Sequence, residues 1–173
     1  MWRGGNCQLI KFLTDTRSKT GSLPFTLYLG AFSKRLWYFE RDHQAAPKVP
    51  DQPHCQWGGF LEQFLPQYQD HWFDISSEDR VPDVGPEITD LLETAVLPLL
   101  ARVGTDEGLR DYWLTGRSPG VGNLQRLTYL TYLCHEIGPR EAVRGLFEEL
   151  RSEAGVSPAG ERALQKIAAY VER

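Results

Sequence analysis

Long apolar runs, excess basic charge and cysteine are all scarce in this sequence, and each shortage excludes a class of protein. The longest apolar run, Ala95 to Ala101, has seven residues, against the roughly 20 that a membrane-spanning helix needs. No membrane association is expected. Lys and Arg number 19 against 23 Asp and Glu, a net charge of -4. A surface that binds nucleic acid through its phosphates has to be basic, so no nucleic-acid partner is expected. The three cysteines, Cys7, Cys55 and Cys134, are odd in number and widely spaced, which argues against a disulfide framework and for reduced thiols. Met1 to Asn6 carries no apolar leader pattern, and the chain is read as cytoplasmic.

What is present is a globular composition, 41% hydrophobic and 24% charged over 173 residues. That length fits a single domain able to bury a core of its own. The organising stretch is Gln8 to Phe32. Two strand-like runs, Gln8 to Thr14 and Phe25 to Phe32, flank a polar, glycine-containing connector and predict a β-hairpin. Alternation puts Phe25, Leu27, Leu29 and Ala31 on the core face, with Thr26, Tyr28 and Phe32 opposite. From Ser33 to Pro53 periodicity fails, and Pro47, Pro50 and Pro53 predict a long stiffened connection. Two further strands are expected at Cys55 to Leu61, with a bulge at Gly58-Gly59, and at Asp70 to Ile75.

Beyond residue 80 the period becomes helical. Ile88, Leu91, Leu92, Ala95, Val96, Leu99, Leu100 and Val103 form one apolar stripe; Pro86 is placed in its first turn and Pro98 is expected to kink or break it near Leu97. A short helix over about 106–114 and three more follow, the first capped by Asn123, the second begun after Gly138-Pro139, the third by Ser157-Pro158. The fold class is therefore α+β, an antiparallel sheet of about four strands in the N-terminal half packed against C-terminal α-helices. Residues 1–80 are the β-rich half, 84–103 the long helix and 106–173 the helical half.

Phe25-Thr26-Leu27-Tyr28-Leu29-Gly30 after a charged hairpin turn, Cys55 opening a later strand, and His71-Trp72-Phe73-Asp74-Ile75 before a helix with a Leu97-Pro98 step together resemble the bacterial domain-of-unknown-function family 4304. The likeness covers residues 6 to 103 and implies a fold, with no activity attached. Members of that uncharacterised family have a helix ahead of the first strand, a departure that leaves an upstream native start as an alternative. Tyr132 to Gly138 with Ala142 to Phe147 also looks like one tetratricopeptide-type hairpin, and a lone unit is read as a plain αα-hairpin.

Chemistry-bearing patterns are sparse. Gly116 to Gly122 lacks the preceding strand and the Gly-Lys-Ser/Thr ending of a phosphate loop, so it is read as a connector. His54, Cys55, His71 and Cys7 lack metal-ligand spacing, and neither metal nor cofactor is expected. The one set that could support nucleophilic catalysis is Cys55 with His71, as in a small hydrolase-like enzyme; the competing reading is a buried structural thiol and a half-exposed imidazole. Five tryptophans are many for this length, and exposed aromatics anchor protein interfaces. The leading expectation is thus a non-enzymatic protein-binding module with contacts among Trp37, Phe39, Trp57 and Trp72. Self-association through the first-strand region around Trp2, Ile10 and Phe12 is expected as well, because apolar side chains lie on both faces of that strand.

Overall fold

The computed structural model describes residues 5–15, 23–75, 80–116 and 119–171. The connector of the hairpin, Trp2, Glu78-Asp79 and Arg117-Ser118 lie outside the described residues. The chain divides into two compact units, Met1–Gly104 and Thr105–Arg173, where the length alone is read as one domain.

The first unit is built on the hairpin. Strand β1 (Asn6–Thr14) pairs antiparallel with β2 (Pro24–Ser33) along its whole length, from Asn6 opposite Ser33 to Thr14 opposite Phe25. Two short strands, β3 (Trp57–Phe60) and β4 (Phe73–Asp74), pair antiparallel with β2, giving four strands among the described residues, with β2 the one strand neighbour of β1 among them. The fold is α+β. All of Phe25 to Ser33 is buried, so β2 is covered on both faces. On one face Phe25 stacks on Phe73 and Trp57 on Phe64, with ring centroids 5.5 and 4.4 Å apart.

Three expectations change here. The Ser33–Pro53 connection opens with a helix, α1 (Lys34–Glu40), capped by the Ser33 hydroxyl accepting from the Leu36 amide at 3.1 Å. Its buried residues, Leu36 and Phe39, are one turn apart, a stripe too short to stand out within so aromatic a run. The strand expected at 55–61 starts later, because Gln52–His54 forms a 3₁₀ turn with Cys55 as its C-cap. It carries no bulge either: Gly58 faces Gly30 and Gly59 faces Leu29 in unbroken register. The glycines serve close approach, since a Cβ on Gly58 would collide with the Tyr28 hydroxyl and one on Gly59 with the Gln63 side chain. The strand expected at 70–75 shrinks to Phe73–Asp74, preceded by the helical turn α2 (Leu61–Phe64), a 3₁₀ turn at Pro66–Tyr68 and Asp70 at φ +58°. A left-handed residue cannot continue a strand.

Helix α3 (Val81–Leu91) begins earlier than its apolar stripe, so Pro82 takes the first-turn position and Pro86 lies inside. The missing N–H of Pro86 forfeits only the bond to the Pro82 carbonyl, one turn from the end. A π-helical segment, Leu92–Val96, then leads into α4 (Leu97–Val103) with Pro98 in its first turn. The regular α-helix is interrupted by this wider i→i+5 segment just before Leu97, where a kink or break was expected, and the helix continues past the proline. Gln8 ties β1 to α4, its Nε2 donating to the Leu100 carbonyl at 2.8 Å.

The second unit is all helical: α5 (Asp106–Leu114), α6 (Asn123–Ile137), α7 (Arg140–Ala154) and α8 (Pro158–Val171). Asn123 does not cap α6. Gly122 holds the cap position, and the Asn123 side chain instead accepts from Arg126 Nε at 3.0 Å and donates to Glu153 at 2.9 Å. Arg126 is buried, its guanidinium also donating to the Trp113 carbonyl and to Glu149 at 3.0 and 3.3 Å. Ser157 caps α8 through the Gly160 amide at 3.0 Å.

Candidate functional site

Burial sorts the aromatic residues singled out from the sequence. Trp57 and Phe39 are sealed in the core, which removes both from any contact surface; their apolar area is consumed within the chain. Trp37 is half-buried and engaged on all sides. It lies against Phe32 and His54 with centroids 6.0 and 5.6 Å apart, carries the Arg41 guanidinium at 5.2 Å, and donates its indole N–H to the Gln44 carbonyl at 3.2 Å. It pins the 41–54 connection over the sheet. Of the four, Trp72 alone is largely open, at 47% exposure.

Cys55 and His71 are not brought together. A Cβ added to Gly30 would meet the Cys55 sulfur at 2.7 Å, so the thiol lies directly over that glycine. His71 packs edge-on against Phe73, 4.7 Å between centroids, and Phe73 pairs with Phe25. Five positions of β2 separate Phe25 from Gly30, roughly 16 Å at strand rise. Each group has another role. Burial pushes the Cys55 thiol up to about 12, with smaller contributions from Cys7 and Asp51, which is the reverse of an activated nucleophile. His71 Nε2 faces a Glu87 carboxylate oxygen at 3.3 Å. His54 and Cys55 both lie outside the strands, in and just after the 3₁₀ turn.

Around Cys55 the sheet surface is closed rather than reactive. Lys11 reaches both oxygens of Asp51 at 3.0 and 3.1 Å, and the Gln52 amide with Lys11 holds Asp51 below the ordinary carboxylate range. Desolvation first, then Cys55 and Asp51, raise the Tyr28 hydroxyl to about 12. Buried Gln56 accepts from the Ser33 amide at 2.8 Å and donates to the His54 carbonyl at 3.0 Å, anchoring the connection. Among the described residues no group of three or more His, Cys, Asp or Glu is arranged to hold a metal ion.

The described residues of the first unit also form concave places. One is an apolar groove of about 370 Å³ where the connector end of the hairpin, at Thr14 and Phe25, meets α3, walled by Phe12, Leu23, Phe25, Val81, Val84 and Ile88. Phe12 is 54% exposed there, and Leu23 and Val81 are also open. Another is a hollow of about 290 Å³ formed by Thr26, Phe60, Glu62, His71 and Trp72. Phe12 belongs to the first-strand region singled out from the sequence, where apolar side chains fall on both faces of the strand. Nothing in the sequence joins Thr26 to Phe60 and Trp72, since they come together only through the β2–β3 and β2–β4 pairings.

No family model matches this chain, and no curated protein or solved structure does.

Proposed function

We propose that this chain is a non-enzymatic, cytoplasmic protein-interaction module that makes contact through the outer edge of β1 and the groove beside Phe12, a second copy of the chain being the partner that this edge fits. The observation that carries the reading is Phe12, a large apolar side chain 54% exposed on an edge strand. Natural edges are guarded by charge, proline or brevity. Here the strand has nine residues and no proline, and its one charged residue, Lys11, is engaged by Asp51 of the same chain. A strand that pairs antiparallel with its own copy does so about a twofold axis. Centred on Phe12, such pairing sets the two phenyl rings side by side and keeps the two Lys11 side chains out of direct opposition. Resemblance to family 4304 over residues 6 to 103 is part of the same proposal and supports a shared fold only.

A photoreactive phenylalanine analogue at position 12 tests this. Irradiating purified protein should give a covalent dimer, with none from the same analogue at Phe60. Adducts to a host protein alone would keep the interaction surface and discard self-association, and no adduct in either setting would end the proposal.

A further inference from the structure

We infer that the hollow between Trp72 and Phe60 is a binding site for a guanidinium group, such as an arginine side chain presented on a peptide or carried by a small molecule. The site is separate from the β1 edge and does not depend on it.

Its floor is Thr26, the third residue of the buried strand β2 and only 8% exposed. Thr26 lines the hollow, and its hydroxyl is an acceptor there for an entering N–H donor. Two walls are aromatic. Phe60 and Trp72 are 42% and 47% exposed, and Phe60 is held edge-on against Tyr28 with centroids 6.4 Å apart. Large rings left this open on a rigid sheet provide π faces for a planar cation.

Charge decides the sign of the ligand. Among the described residues that line the hollow, Glu62 is the one that carries a full charge, and none is Lys or Arg. His71 contributes no net positive field, because its Nε2 faces Glu87 at 3.3 Å. The Glu62 carboxylate is oriented by the Asp70 amide, which donates to Oε2 at 3.3 Å; Asp70 adopts a left-handed φ of +58° at the same corner. An anion would therefore meet a carboxylate, and an apolar ligand would bring no donor to Thr26 or Glu62. A guanidinium fits better than an ammonium. Its planar fork can donate to the carboxylate and the hydroxyl together while its face rests on a ring, whereas an ammonium is a compact, strongly hydrated point charge.

The test is an NMR titration of the full chain with N-acetylarginine methylamide, using the neutral citrulline analogue as control. The Trp72 indole N–H resonance is identified by its loss in Trp72→Phe. The arginine probe should move that resonance saturably, the citrulline probe should not, and added salt should weaken the effect. Glu62→Gln, at an exposed position that keeps an acceptor for the Asp70 amide, should weaken binding about tenfold, the scale of a charge-assisted hydrogen bond. Thr26→Val should weaken it with the spectrum elsewhere unchanged. Equal shifts from both probes, unaltered affinity in Glu62→Gln, or shifts confined to other tryptophans would each overturn the assignment.

Discussion

Individual side chains in this protein are held in roles that their type alone does not reveal. Cys55 was legible as a thiol with a histidine in the same half of the chain; its position over Gly30 was not, because that depends on the 3₁₀ turn at Gln52–His54. Its environment predicts a slow thiol. Cys7, Cys55 and Cys134 are all free, so denaturing titration should find three free groups, and Cys55 should react at neutral pH only on unfolding. The same burial sets an alkaline limit. Cys55 and Tyr28 are both raised to about 12 from 9.0 and 10.0, so between those values the folded state keeps protons that the unfolded chain gives up. Stability is then fully present below about pH 9 and declines as pH rises toward 12. Urea midpoints measured from pH 8 to 11 should fall, and fall less in Cys55→Ala. Arg126 is the converse case, a charged side chain held in a buried place. Arg126→Ala removes a charge-assisted donor from the Trp113 carbonyl, which keeps the Gly116 amide at 3.1 Å, while the exposed Glu149 can return to water. The expected loss is about 1–3 kcal/mol by urea unfolding.

At the scale of elements, legibility followed the length and regularity of the pattern. The hairpin was readable because strand-forming residues run through all of β2, and a one-residue slip would move Leu27 and Leu29 onto the face that Thr26 and Tyr28 occupy, exchanging two differently packed faces. The stops at Gly138-Pro139 and the cap at Ser157 were readable because glycine, proline and serine act locally. Helix α1 was lost because seven residues show barely two turns of stripe. The start of α3 was misplaced because Val81 to Gly85 supplies only one buried residue, Val84. The π segment has no sequence signature beyond the Pro98 that follows it. It also redistributes burial. Leu91, Val96 and Leu100 face the core and Leu92 is left half-buried, although a regular 3.6-residue period treats the neighbours alike. Leu91→Ala should therefore cost about 2–5 kcal/mol, and Leu92→Ala clearly less, as read from their urea midpoints. Equal costs would contradict the π-turned geometry.

Across the whole molecule, composition excluded classes without naming a partner, and that limit is physical. A net charge of -4 speaks to solubility and to nucleic acid, not to which apolar patch is left open. The candidate surface was half legible. Strand periodicity pointed to Ile10 and Phe12, while the groove beside them needs Val81, Val84 and Ile88, some seventy residues away in the chain. Neither was the hollow at Trp72 readable, for the same reason. No helix among the described residues is long and apolar enough to cross a membrane. The proposed contact rests instead on the exposed apolar side chains around Phe12, the kind of patch that marks an interaction site. Sedimentation velocity over a concentration series of the wild-type chain and Phe12→Asp tests that claim most directly. The account predicts a wild-type sedimentation coefficient that rises with concentration and a Phe12→Asp variant that stays monomeric with its fold intact; a wild-type chain that remains a monomer at the highest concentration would contradict it.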